Sequence, residues 1–248
     1  MSPEARFEQA LDVFRQEAEA GVQFFYTWRA IHARASEDRV VQDALNRAPD
    51  VWNTILAGLQ SSTLISLGRL FGEGRHNVDT ILRLAQSTPE LFTKEALRRR
   101  KRGEDKEPPS WLDDYVDAAY EPNDGTFARL RCQAEKYNSL YKANYRPLRD
   151  RVYAHKVVHG LELEGLFGKT RIGELQRLLL FPQRLHAALF NLYHNGRKPI
   201  LRSQRYIVSA IRATPRSTWT SRQSQEIVIA QTDEFFDLLE VKSTSTEG

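Results

Sequence analysis

One cysteine, Cys132, stands in a chain of 248 residues. It excludes an internal disulfide and any metal site built on several thiolates, and it suits a reducing compartment. No apolar run approaches the roughly 18 residues that a membrane span needs. The chain opens Ser2-Pro3-Glu4 and passes directly into an amphipathic pattern with no leader, so a soluble cytoplasmic protein is expected. Strand signals are scarce and nothing repeats at a fixed period. A P-loop, a dinucleotide-binding glycine pattern, HExxH and a nucleophile elbow are all missing. The usual hydrolase and nucleotide-fold readings lose their support.

Helical periodicity is abundant. Phe7, Leu11, Phe14, Ala18, Val22, Phe25, Trp28 and His32 recur at three- and four-residue steps from Pro3 to about Ser36. A short helix is expected over Glu37–Asn46. Pro49 suits the first turn of a strongly apolar helix, Asp50–Phe71, which should lie at the centre of a bundle. Asn77 caps the next helix, and Thr88-Pro89-Glu90 starts another that ends in the basic run Arg98–Arg102. After a charged loop, Trp111–Tyr120 reads as a short acidic helix and Glu121–Gly125 as a turn. A helix from Thr126 should kink near Arg146-Pro147 and continue over Leu148–His159, because proline disrupts a helix interior. Gly160–Gly168 reads as a break. Ile172–His194 reads as a helix kinked near Pro182, Ile200–Ala213 as strand or irregular helix, and Arg222–Val241 as a last helix. One helical domain over residues 1–242, with a flexible tail over 243–248, is the expected organisation.

Net charge is +4, unevenly placed. Between Arg129 and Lys156 eight basic residues (Arg129, Arg131, Lys136, Lys142, Arg146, Arg149, Arg151, Lys156) face only Glu135 and Asp150. Such an excess attracts polyanions, although a solvated helix face has the same composition.

Within this region lies Arg149-Asp150-Arg151-Val152-Tyr153-Ala154-His155. It resembles the signature of the HEPN superfamily: an arginine, a polar follower, and a histidine after four to six intervening positions. Further text resembles the abortive-infection, AbiU-like branch of that superfamily. It comprises Trp28-Arg29-Ala30-Ile31-His32, Asn46–Thr54, Leu67-Gly68-Arg69-Leu70-Phe71 and Leu91–Leu97. The resemblance covers about Phe7 to Val241. It implies an all-α HEPN-type bundle with additional peripheral helices, a homodimer, and metal-independent RNA cleavage without a cofactor in phage-defence or toxin systems. An antitoxin or regulatory protein is a further partner of such systems. Arg69 and His76 also satisfy the spacing, but two glycines in the interval prevent a helix from carrying it.

On a regular helix at about 100° per residue, Leu148, Val152, His155 and His159 fall within about 60°. Arg149 lies about 120° from His155, and Arg151 about 40° away. His155 therefore points where apolar residues point. It is either a packed histidine or a histidine at a homodimer interface, where the partner's helix completes a site rimmed by arginines. In the second case a 2′-hydroxyl attacks the adjacent phosphorus and a 5′-oxygen leaves. Imidazole, with an unperturbed pKa of about 6.5, moves the proton. Arg149, assisted by Arg151, holds the phosphate. Asp150 orients the arginine or a histidine, or caps the helix after the kink; Tyr153 stacks on a base or packs. Arg146, Lys142 and Lys156 are expected to contact the RNA backbone. The alternative is a catalytically silent HEPN module that binds RNA, a nucleotide or a protein partner.

Other candidates read more simply. His186 and His194 lack the neighbours a metal site needs. Tyr137, Tyr141 and Tyr145 follow helical spacing and read as packing. Arg98–Arg102 has the charge to contact an RNA backbone, but its mostly acidic neighbour Glu104-Asp105-Lys106-Glu107 favours a solvated loop.

Overall fold

The computed structural model describes residues 1–72, 74–103, 107–154, 161–202, 206–214 and 223–244. Among these residues there is no strand, and the fold is all-α. The helices are α1 (Pro3–Glu37), α2 (Arg39–Asn46), α3 (Pro49–Phe71), α4 (Val78–Ser87), α5 (Lys94–Arg102) and α6 (Leu112–Asp117). They continue as α7 (Asp124–Leu140), α8 (Arg146–Leu148), α9 (Leu161–Gly168), α10 (Ile172–Asn195), α11 (Val208–Ala213) and α12 (Ser224–Thr244). A 3₁₀ turn, Pro89–Phe92, precedes α5, and π-helical turns occupy Tyr141–Tyr145 and Arg149–Ala154. No helix among the described residues is long and apolar enough to cross a membrane.

The starts of several helices follow from side chains that satisfy the free amides of the first turn. Asp38 accepts from the amides of Val40 and Val41, and Asn77 from that of Thr80. At α7 a reciprocal box forms. Asn123 Oδ1 accepts from the Thr126 amide at 3.1 Å, and the Thr126 hydroxyl accepts from the Asn123 amide at 3.2 Å. This cap starts α7 at Asp124, two residues before the expected Thr126, and absorbs part of the expected turn.

The chain groups into two compact units. One comprises Met1–Ala18 and Leu67–Ser203, the other Glu19–Ser66 and Gln204–Gly248. The core of the first is aromatic. Phe7 meets Phe92 edge-on at 5.3 Å and Tyr193 at 5.1 Å, while Tyr137 stacks on Phe181 at 4.1 Å. The second is organised around Ile31, Val41 and Phe236, with Trp52, Leu56 and Leu59 packed against them.

Several expectations need correction. Only the C-terminal part of α3 is deeply buried, through Leu64, Leu67, Leu70 and Phe71. Val51 is 58% exposed and Ile55 40% exposed, so the apolar composition of its first turns does not put them at a bundle centre. The expected break at Gly160–Gly168 is helix α9 from Leu161 onward; Gly165 costs helix stability but is tolerated. The ambiguous stretch before Ala213 contains helix α11 rather than a strand. The run Arg98–Arg102 is not a solvated loop but the body of α5. Arg98 pairs with Asp113, and Arg99 with Glu4 at 2.7 Å. Arg100 lies 4.0 Å over the Tyr193 ring and donates to the Tyr193 carbonyl at 2.8 Å. The expected continuation over Leu148–His159 is described as far as Ala154, as α8 and a π turn, and the rest lies outside the described residues.

Candidate functional site

The site is built where α7 meets Pro147. Proline has no amide hydrogen, and its ring clashes with the carbonyl four residues earlier, here that of Ala143. The chain answers with a wider turn in place of a simple kink. The Arg146 amide reaches back five residues to the Tyr141 carbonyl, and the helix runs as a π turn over Tyr141–Tyr145. After the single α-turn of α8, a second π turn carries Arg149, Asp150, Arg151 and Tyr153. Paired π turns are uncommon, and single π turns concentrate at functional sites. Angles reckoned for a regular α-helix do not hold across them; the expected angle between Arg151 and His155 falls on a residue outside the described ones.

Buried aromatic side chains anchor the irregular stretch. Tyr145 is 1% exposed, donates to the Arg171 carbonyl at 3.0 Å, and accepts from the Arg171 amide at 3.3 Å. Burial pushes its phenol pKa up to about 12. Tyr141 is fully buried and stacks on Phe71 at 5.7 Å. Among the described residues its hydroxyl finds no hydrogen-bond partner. Burial raises its pKa, Arg149 opposes that rise, and Asp150 adds to it. Tyr137, Tyr141 and Tyr145 are thus packing residues, as their spacing implied.

Arg149 and Asp150 form a close pair. Arg149 Nε donates to Asp150 Oδ1 at 2.6 Å, and its Nη2 contacts the same oxygen. The other carboxylate oxygen, Oδ2, lies 3.5 Å from Arg146 Nε, one turn earlier. Asp150 is therefore bracketed by two guanidiniums on a half-exposed surface. The Arg149 side chain lies flat against α3 at Gly68. A Cβ on Gly68 would approach Arg149 Cδ to 2.6 Å and Cζ to 3.1 Å, and one on Gly72 would lie 3.3 Å from Nη1. Two glycines four residues apart share a helix face. Here that face is the seat of the arginine, which sequence reasoning missed. The glycine spacing at the end of α3 was the available signal.

The other expected residues are distributed around this pair. Arg151 turns away to pair with Glu162 in the first turn of α9. Tyr153 is half-buried, and burial pushes its pKa up to about 12. Lys142 and Arg146 are exposed on the same stretch. His155 and Lys156 lie outside the described residues, as does His159. The described structure thus brings together Arg149, Asp150 and Arg146, but not Arg151.

Beside the pair, a polar cavity of about 490 Å³ opens between the end of α3, α4 and α7. Asn77, Asp79 and Arg83 line it from the α4 side; Arg131, Glu135, Asn138, Tyr141, Lys142 and Arg146 line it from the α7 side. His186 lies against Phe190, and burial drives its pKa down to about 4. No group of three or more histidines, cysteines or carboxylates among the described residues is placed to hold a metal ion.

Comparison with known proteins adds one finding. The family model HEPN_AbiU2, described as AbiU2, matches residues 4–211. No curated protein and no solved structure matches the chain. The matched span includes the glycine seat, the π turns and the Arg149–His155 segment, and the chain belongs to the HEPN_AbiU2 family, an abortive-infection branch of the HEPN proteins.

Proposed function

We propose that this protein is a metal-independent endoribonuclease of abortive infection, cleaving RNA by attack of a 2′-hydroxyl on its own phosphodiester. The observation that carries the reading is the Arg149–Asp150 pair, seated on Gly68 and placed six residues before His155 in the family's motif. Asp150 binds the Nε side of the guanidinium, while Nη1 makes no hydrogen bond among the described residues. Nη1 rests against Gly68 and Gly72, and a phosphate oxygen meets the guanidinium where the 26% exposed side chain is open to solvent. Arginine here holds and neutralises the phosphate as charge develops in the transition state. His155 takes the proton of the 2′-hydroxyl or gives one to the departing 5′-oxygen, which imidazole does well near neutral pH. Cleavage yields a 2′,3′-cyclic phosphate and a 5′-hydroxyl. DNA lacks the nucleophile and is not cut.

A homodimer completes the reading. Leu148 is already covered within the chain, whereas Val152 is only half-buried; a second copy meeting the stretch at Val152 brings two His155 side chains to shared clefts. Arg149 of one protomer then serves His155 of the other. The Arg149–Asp150 pair also supports a second reading, a silent RNA-binding module, because the carboxylate already satisfies part of the guanidinium.

One experiment separates them. Mixed-sequence RNA oligonucleotides are incubated in EDTA with wild type, Arg149→Ala, His155→Ala, and an equimolar mixture of the two variants. The ribonuclease reading expects 2′,3′-cyclic ends from wild type, a loss of at least about a hundredfold in each variant, and partial recovery in the mixture. Recovery requires one intact composite site per mixed dimer. Binding without cleavage by wild type overturns the enzyme and supports the module; cleavage without recovery overturns the shared site.

A further inference from the structure

The cavity beside Arg149 plays no part in the cleavage chemistry above, and its lining has a character of its own. At about 490 Å³ it falls in the size range of small-ligand sites. Arg83, Arg131, Lys142 and Arg146 oppose Asp79 and Glu135 around it, an excess of positive charge. Much of this lining is already held in place. Arg83 pairs with Asp79 at 2.7 Å, and Arg131 donates to Gln86 at 3.2 Å. Asn77 donates to the Gly72 carbonyl at 2.5 Å and accepts from the Thr80 amide at 2.8 Å. Glu135 accepts from the Ser139 hydroxyl at 3.2 Å.

Three groups are left over. Lys142 has no ion pair and the Asn138 side-chain amide no hydrogen bond among the described residues, while the buried Tyr141 hydroxyl has no partner. A buried polar group without a partner is costly, and a ligand that supplies one recovers that cost. Arg131, Glu135, Asn138 and Lys142 follow one another at helical steps of three and four, so they form a single stripe along α7 and the turn after it. Cations suited to a phosphate therefore alternate with an acceptor and an amide suited to hydroxyls and a base edge.

We propose that this cavity binds one ribonucleotide unit, its phosphate against Arg131, Lys142 and Arg146 and its polar edges against Glu135, Asn138 and Tyr141. The choice of a ribose-bearing ligand rests on the ribonuclease reading; the phosphate preference rests on the cavity alone. The unit arrives either within an RNA strand that continues toward Arg149 or as a free mononucleotide, and both present the same chemistry.

The test uses the full chain carrying His155→Ala, so that RNA stays intact. Binding of a fluorescent hexauridylate is followed by anisotropy and binding of adenosine monophosphate by calorimetry, in this background and with Arg131→Gln or Asn138→Ala added. Arg39→Gln, at a residue 91% exposed in the other unit, is the control. Each cavity substitution is expected to weaken binding of at least one probe about tenfold, with melting temperature and the control unchanged. For Arg131→Gln the salt slope of hexauridylate binding should fall by about one. Loss confined to the oligonucleotide identifies an RNA strand as the source; loss for the monophosphate identifies a free nucleotide. Absence of binding of both probes, or binding that neither cavity substitution weakens, overturns the site. Failure of the cleavage reading shows separately, as binding by a protein with His155 intact that leaves the RNA uncut.

Discussion

Gly68 and Arg149 fit each other as flat surface and flat side chain, and this contact decides what the arginine can reach. Any side chain at position 68 occupies the space now held by the Arg149 Cδ and guanidinium. Because the displaced group is the end of a flexible side chain, Gly68→Ala should cost little stability. The gain of alanine over glycine inside a helix, up to about 1 kcal/mol, can even raise the melting temperature. Cleavage should nevertheless fall about tenfold or more, because a guanidinium moved by an ångström no longer meets the phosphate. Thermal melting and single-turnover cleavage measured on the same sample check this; wild-type cleavage by Gly68→Ala would show that Arg149 works from another position. The Arg149-Asp150 adjacency is visible in the sequence because it is local. The seat is not, because it depends on how α3 packs against a segment far along the chain.

The π turns flanking α8 are the local response to Pro147, and they carry every described residue of the motif. Pro147→Ala returns an amide hydrogen and removes the clash with Ala143, so a regular α-helix becomes available. The variant should be as stable as wild type or more so by circular dichroism. Its cleavage should drop about tenfold or more, because Arg149 is rotated off Gly68. Full activity in a stable Pro147→Ala protein would mean that the π geometry is dispensable. The sequence signalled a disturbance at Pro147 correctly in place but not in kind, since a proline states which hydrogen bond is lost and not how the chain absorbs it. The helix starts at Pro49 and Val78 were legible from Pro49 and Asn77, whose ring and side chain act on the next turn, whereas the Asp38 cap at Arg39 was not read. At α9 two glycines outweighed a helical pattern that tertiary packing sustains. For α3, composition alone suggested burial on most sides, whereas its first half is covered on one face only, through Trp52, Leu56 and Leu59, and deep burial begins at Thr63.

Across the chain, histidines whose pKa is lowered by partial burial contribute to the response to acid. Burial holds the pKa of His186 down at about 4, with Arg15 adding to the effect and Asp12 opposing it. His32 and His194 are lowered in the same direction, also chiefly by burial. A histidine kept neutral in the folded state binds its proton more readily once unfolded. Its contribution is therefore full above pH 6.5 and is lost as pH falls from about 6.5 toward about 4. For His186 the loss is at most about 3 kcal/mol. Guanidinium unfolding at pH 7, 5.5 and 4.5 should show this decline, and His186→Gln should flatten part of it; an unchanged slope in that variant would place the acid sensitivity elsewhere. The division into two units also bears on how the chain is made. The first unit has all its residues once Ser203 is synthesised, whereas Ile31 and Val41 of the second wait for Phe236 on α12. Part of an early-made core thus stays unsealed through most of translation, and a stop codon just after the family-matched span would release a chain with that core open.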